Sequence, residues 1–267
     1  MSIYWILFFI ALVISSIGWK NFIYFISIGY GFSIAGCAAA ITIFYWDIIT
    51  APTALLCAIL IIYGCRLGLY LLLRERRSAS YRKVLSENTK NAKYPFIATL
   101  SIWLACAFLY MAEVCPVAAR LDNTARGLPT NDIWAYIGAI VMILGIILES
   151  AADAQKSAAK KVNPNRFVST GLYKIVRCPN YFGEIVMWTG CLLVCIGATC
   201  NWWQWLISAL GYITIVYIMF SGARRLEIRQ NANYGDNPEY QAYVKKTPIL
   251  IPLLPIYSVA RHEWLRG

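Results

Sequence analysis

The sequence predicts an all-α integral membrane protein of about seven transmembrane helices, with its N-terminus outside and its C-terminus cytoplasmic. Three observations carry this. The chain is 60% hydrophobic and only 14% charged over 267 residues, with a mean hydropathy of +0.57, far from the roughly half-apolar, quarter-charged profile of a soluble domain. Apolar runs of about 20 residues, the length that crosses a bilayer as a helix, recur along it. Lys and Arg crowd into alternate connections, as the positive-inside bias requires.

The apolar runs lie near 3–19, 22–45, 53–73, 94–114, 132–149, 183–200 and 203–222. The first has no basic flank and no cleavage site before the second begins, so it reads as a retained helix. With the N-terminus outside, the inner segments take Lys20 and the basic clusters of 74–93, 150–182 and 222–267, which together hold 21 of the 24 Lys and Arg residues. Outer loops keep Arg120 and Arg126, and Arg66 lies within a span. The net charge of +11 is therefore that of the cytoplasmic face, explained by topology and anionic lipid. No RNA- or DNA-binding motif accompanies it, so membrane lipids are expected partners and nucleic acid is not. The nine cysteines show no C-x-x-C spacing, and His262 is the single histidine, so no metal site is expected.

Taken in order, the first two spans are nearly uncharged, and Gly18, Gly29, Gly31 and Gly36 permit close helix approach. The third carries Arg66 deep in an apolar run. An arginine there either faces a cavity or partner or snorkels to the boundary, although Arg74 is already two turns nearer to it. Tyr63 stands three residues before Arg66 and shares its side of the helix. The charged stretch from Arg74 to Lys93 reads as an inner surface loop. The fourth span ends at Glu113, and 115–131 reads as an outer loop in which Arg120, Asp122 and Arg126 serve as caps.

The fifth helix is expected to continue past the boundary, since Ala and Gln are good helix formers. That places Glu149 and Asp153 on one face, with Lys156 one turn on as their simplest partner. The densest group of chemically capable side chains follows, in 163–190. Pro179 suits the first position of a helix, Arg177 sits just before it, and Asn180 and Glu184 share a face beside backbone N–H groups that favour an anion; Tyr181 belongs to the same block. The plainer alternative is that Pro179 and Glu184 only start the helix well. Gly183, Gly190 and Gly197 recur every seven residues as a packing stripe, and Trp202, Trp203 and Trp205 form an interfacial belt. The amphipathic, aromatic and basic tail from Gly222 to Pro252 is able to lie on the membrane surface.

Three separated pieces thus end on the cytoplasmic side: Glu149 with Asp153, the block from Arg166 to Glu184, and Arg224 to Glu227. They offer arginines for phosphates, carboxylates for ribose hydroxyls and an amide for a base, which suits an anionic, hydroxyl-bearing cofactor better than a metal. No G-x-G-x-x-G follows a strand, so a dinucleotide would be held without a Rossmann fold.

At these residues the chain resembles the C-terminal domain of the steroid 5-alpha-reductase superfamily, in a bacterial-type branch. The resemblance rests on Asn163-Pro164-Asn165-Arg166 through Gly171-Leu172-Tyr173, on Arg177-Cys178-Pro179-Asn180-Tyr181-Phe182-Gly183-Glu184, on Ser221-Gly222-Ala223 with Glu227, and on Tyr240-Gln241-Ala242-Tyr243 with Thr247-Pro248. It implies a single membrane domain over 1–267, with helices of 1–130 forming a substrate pocket and 145–252 binding the cofactor. It further implies an NADPH-dependent reductase of a carbon–carbon double bond conjugated to a carbonyl, acting on a steroid-like or other lipid. Asp153, Arg166, Asn180, Glu184, Arg224 and Glu227 would contact NADPH, joined in our residue-level reading by Glu149, Arg177 and Tyr181. Tyr63 and Arg66 match the family's Tyr-x-x-Arg, whose tyrosine polarises the enone oxygen.

Two departures stand out. Cys178 occupies the position where relatives carry histidine, and no Glu precedes Glu75, whereas the steroid enzymes place a Gln-Glu pair in an early helix; the second argues against a 3-oxo-steroid specifically. A membrane methyltransferase of the isoprenylcysteine carboxyl type, using S-adenosylmethionine, shares a similar Arg-His-Pro block and is the alternative, and a non-catalytic lipid-binding protein is a third. The expected location is a bacterial inner membrane or an endoplasmic reticulum membrane, with the cofactor site facing the cytoplasm.

Overall fold

The computed structural model describes residues 2–77 and 95–265. Most of the basic inner loop of 74–93, and the first residue of the fourth expected span, lie outside the described residues. Those residues form eight α-helices and no strand: α1 Ile3–Ser15, α2 Ile28–Phe44, α3 Ala51–Arg77, α4 Phe96–Ala125, α5 Asp132–Val162, α6 Pro179–Leu193, α7 Trp202–Tyr234 and α8 Pro238–Lys246. Among the described residues six helical segments are long and apolar enough to cross a membrane, and Ile3–Trp19 is a shorter apolar helix. The protein is a multi-pass integral membrane protein. The chain divides into two compact units, Met1–Ala139 with Cys191–Gly211, and Ile140–Gly190 with Tyr212–Gly267.

In the first unit α1, α2, α3 and α4 pack on one another, and the approach of α2 to α3 is backbone to backbone. A Cβ added at Gly31 would stand 2.7 Å from the Gly68 nitrogen, and one at Gly64 would stand 2.4 Å from the Gly31 oxygen, so only glycine fits either position. Leu7, Ala11, Ile34, Ile41, Leu56 and Leu60 fill the interior, while Trp5, Phe9, Val13, Ile43 and Ile62 project outward, as a lipid-facing surface requires.

The expected outer loop of 115–131 is instead helical as far as Ala125. Pro116 has no N–H to offer the carbonyl of Ala112, and Gly211 packs closely against that turn, where a Cβ would come within 3.0 Å of the Ala112 oxygen. Arg120 is therefore no loop cap. It is buried, and its guanidinium donates to Thr53 Oγ1 at 3.1 Å, to the Asn131 carbonyl at 3.0 Å and to the Asp132 carboxylate. Beside it Asn123 Nδ2 donates to the Ala198 carbonyl at 2.8 Å and to Gln204 Oε1 at 3.0 Å, and Gln204 Nε2 donates to Tyr4 OH at 2.8 Å. One polar layer thus ties α1, α3, α4, the start of α5 and the start of α7 together.

In the second unit α5 crosses α6 at two glycines. A Cβ at Gly145 would lie 2.4 Å from the Met187 nitrogen and one at Gly183 would lie 2.6 Å from the Glu149 nitrogen. The tail is not a free segment but packs within its own unit. The Arg177 and Cys178 amides donate to the Pro248 and Ile249 carbonyls at 2.9 and 3.0 Å, Tyr240, Ile249, Leu250 and Val259 are buried, and Asn237 caps α8 by accepting from the Glu239 and Tyr240 amides. Phe167 stacks on Tyr243 with 5.6 Å between ring centres and meets Tyr240 at 5.2 Å edge-on. Apolar side chains of the tail thus find partners within the unit.

Candidate functional site

Each unit presents one centre. In the first, Tyr63 on α3 is fully buried, and its hydroxyl lies 3.0 Å from that of Tyr30 on α2. The Tyr30 ring also packs on buried Tyr110 at 5.3 Å. The close α2–α3 approach at Gly31 and Gly64 brings the two hydroxyls within reach, since each neighbours one of the tyrosines in sequence. Arg66 falls on the same side of α3, its guanidinium 5.9 Å from the centre of the Tyr63 ring. The three-residue spacing of Tyr63 and Arg66 is realised as a contact. A phenolic O–H held by a second hydroxyl, with a cation alongside, is a donor suited to an oxygen on which negative charge develops.

The second centre is built around Arg177. This residue is 2% exposed and its Nη2 donates to Glu227 Oε1 at 2.9 Å and to the Tyr257 carbonyl. The other carboxylate oxygen of Glu227 accepts from the Val259 amide at 2.8 Å, so Glu227 is engaged at both oxygens. Arg177 Nε and Nη1 are buried and make no hydrogen bond in the protein, and the same is true of Arg224 Nε. Buried guanidinium donors left over in this way are unusual. Arg177 lines a cavity of about 610 Å³ together with Lys156, Lys160, Tyr173, Arg229 and Tyr234. Burial raises the pKa of Tyr240 and Tyr243 nearby, against the opposing pull of the Arg177 charge.

The remaining expected site residues fall as follows. Glu149 and Glu184 are both buried where α5 crosses α6, and Asp153 is half-buried one turn after Glu149. Asn180 is half-buried in the first turn of α6, which begins at Pro179 as its sequence position suggests. Tyr181 lies against α7, where Gly222 leaves room for its ring. Arg166 stands apart at the surface in an ion pair with Glu239 at 2.8 Å, both side chains more than half exposed. Cys178 is buried, and burial pushes its thiol up to about 12, so it is neither a base nor a nucleophile at neutral pH. Among the described residues no cluster of His, Cys, Asp and Glu could hold a metal.

The sequence reading did not single out Tyr30, or Lys160 and Arg229 as members of a site. For the last two a signal existed. Lys156 and Lys160 are four apart, and Leu226, Arg229, Gln230 and Asn233 follow the spacing of one helix face. Tyr30 carries no such mark.

Over 60 residues the chain is 37% identical to Steroid 5-alpha-reductase DET2 of Arabidopsis thaliana, a match that covers 21% of this chain and 23% of the plant protein. No solved structure matches it significantly. A family described as "Protein of unknown function (DUF1295)" matches residues 12–247, and the chain belongs to this steroid 5-alpha-reductase-like family.

Proposed function

We propose that the protein is an NADPH-dependent membrane oxidoreductase that reduces a carbon–carbon double bond conjugated to a carbonyl in a hydrophobic, lipid-like substrate. The observation that carries this reading is the buried Tyr63 hydroxyl, 3.0 Å from Tyr30, at the position matching the family's tyrosine. Its O–H donates to the substrate carbonyl and stabilises the enolate that forms when the β carbon is reduced. Tyr30 orients that O–H, and Arg66 favours the negative charge.

The second unit suits the cofactor. The unused buried donors of Arg177 and Arg224 are what phosphate oxygens accept from, Asp153, Glu149 and Glu184 offer acceptors to ribose hydroxyls, and Asn180 offers an amide. Arg166 and Tyr181 complete the set, with Glu227 holding Arg177. Bound NADPH would supply the hydride. The cofactor site faces the cytoplasm if the basic clusters are inside.

The test is enone-dependent oxidation of NADPH by the purified protein. Tyr63→Phe keeps the ring and removes the donor, so turnover should fall about 10²- to 10³-fold with NADPH affinity unchanged. Tyr30→Phe, which leaves the donor but not its anchor, should lose about tenfold, close to the net worth of one hydrogen bond. Unchanged turnover in Tyr63→Phe would remove that residue from the mechanism.

A further inference from the structure

The C-terminal segment folds onto its unit but leaves an apolar tip uncovered. Ile249 and Leu250 are buried at its base, where the Ile249 amide donates to the Ile256 carbonyl at 2.8 Å and closes a loop. At the far end of that loop, between Pro252 and Pro255, Leu253 is 98% exposed and Leu254 is exposed beside it. Leu253 has a φ of +67°, a left-handed conformation that favours glycine and that leucine rarely adopts. A leucine kept there, facing away from the protein, gains little burial from the fold itself.

What covers the tip follows from where its base is tied. The Pro248 and Ile249 carbonyls accept from the Arg177 and Cys178 amides, immediately before the apolar helix Pro179–Gly197. The loop is thereby fastened to the end of a membrane-spanning helix. A second tether joins the segment to α7. Tyr217 donates its hydroxyl to the Trp264 carbonyl at 2.9 Å, and the centres of the two rings lie 6.3 Å apart. Tyr217 stands one turn after Ile213, which is exposed on the apolar stretch of α7, so Trp264, itself exposed, flanks a lipid-facing stripe. Tryptophan is the residue type that settles at a membrane–water interface.

We infer that Leu253, Leu254 and Trp264 form an interfacial anchor that inserts into the boundary between lipid headgroups and acyl chains. Apolar surface that would be a liability in water is covered there by lipid. The anchored segment also supplies the Tyr257 carbonyl to Arg177 Nη2 and the Val259 amide to Glu227, so seating the tip in the bilayer steadies the Arg177–Glu227 pair. An anchor of this kind does not require the chain to be a reductase.

The test labels the full chain in phosphatidylcholine nanodiscs from the lipid, by a diazirine carried near the glycerol, and from the water, by hydroxyl radicals, with the modified residues read by mass spectrometry. Leu253, Leu254 and Trp264 should take label from the lipid and resist the radicals. Val162, 88% exposed but about 20 Å along α5 beyond the apolar run that ends at Glu149, should do the reverse. Leu253→Ser combined with Leu254→Ser should raise amide hydrogen exchange across 249–259 about tenfold or more, because the inserted apolar area is lost. Leu253→Asn separates anchor from backbone: asparagine adopts a φ of +67° more readily than leucine, so a segment held by protein contacts alone would exchange no faster, whereas a docked one should. Lipid labelling of Leu253 and Trp264 no greater than that of Val162, or exchange unchanged in both variants, would overturn the inference.

Discussion

The two units each bury an arginine beside a carboxylate, and they spend it differently. Arg120 uses Nε on Thr53, Nη1 on the Asn131 carbonyl and Nη2 on Asp132, so all its nitrogens are engaged by the fold. Arg177 spends one nitrogen on Glu227 and Tyr257 and keeps Nε and Nη1 in reserve beside a cavity. The desolvation of a guanidinium is costly either way. Arg120, whose donors are all matched, cements the end of a helix bundle, whereas Arg177 is anchored to Glu227 and Tyr257 through a single nitrogen. Chemical type and burial alike fail to separate these roles, and donor accounting does separate them.

The most direct way to break this comparison is Arg120→Ala. It strips partners from Thr53, Asn131 and Asp132 in the polar layer and should destabilise the protein by about 3 kcal/mol, read as a lower thermal midpoint. Asp132 is 56% exposed, so solvent rehydrates that carboxylate and the cost arises chiefly from the buried acceptors. The shift in midpoint produced by NADPH should be unchanged. A weakened NADPH response would make Arg120 part of the ligand site and end the contrast with Arg177.

A smaller effect sharpens the second unit. Cys178 stands next to Arg177, and its thiol is pushed up to about 12 from an ordinary 9.0 by burial. A thiol whose folded-state pKa is raised stabilises the fold below its unfolded pKa and loses that contribution as pH rises from about 9 toward about 12. Wild type and Cys178→Ala should therefore show parallel stability from pH 6 to 8, and above pH 9 wild type should lose more stability than the variant, by up to about 1.4 kcal/mol per pH unit. Turnover at pH 7 should be unaffected by this variant beyond the loss expected from a small cavity. A bell-shaped rate profile that vanishes in Cys178→Ala would instead make the thiol an acid or base.

Much of this molecule is legible in its sequence because membrane spans are written in local terms. The apolar runs, the helical Ala and Gln residues that carry α5 beyond Glu149, Pro179 at the head of α6 and the spacing of Tyr63 to Arg66 all depend on neighbours within a few residues. The errors occur where distant partners decide. The stretch 115–131 reads as an outer loop because nothing near it reveals Gly211, nearly a hundred residues on, packed against the Ala112 backbone. Arg120 reads as an outer cap because Thr53 and Asn131 are invisible from its own surroundings, and the pairing of the tail with the Arg177 and Cys178 amides is likewise hidden from its local composition. Tyr30 shows the limit most plainly, since only the glycine-mediated approach of α2 to α3 turns an unremarked tyrosine into the partner of Tyr63.

The central claim, that the second unit holds a phosphorylated nicotinamide cofactor for a reductase, is tested most directly by the melting temperature of the detergent-purified protein with NADPH, NADH or S-adenosylmethionine, in wild type and Asn180→Ala. At about 100 times its dissociation constant a ligand stabilises by roughly 2.7 kcal/mol, which a melting curve resolves. The account predicts a shift with NADPH that exceeds the shift with NADH, no shift with S-adenosylmethionine, and loss of the NADPH response in Asn180→Ala. A response to S-adenosylmethionine alone would contradict it and point to methyl transfer, and silence toward all three would remove the cofactor from the account.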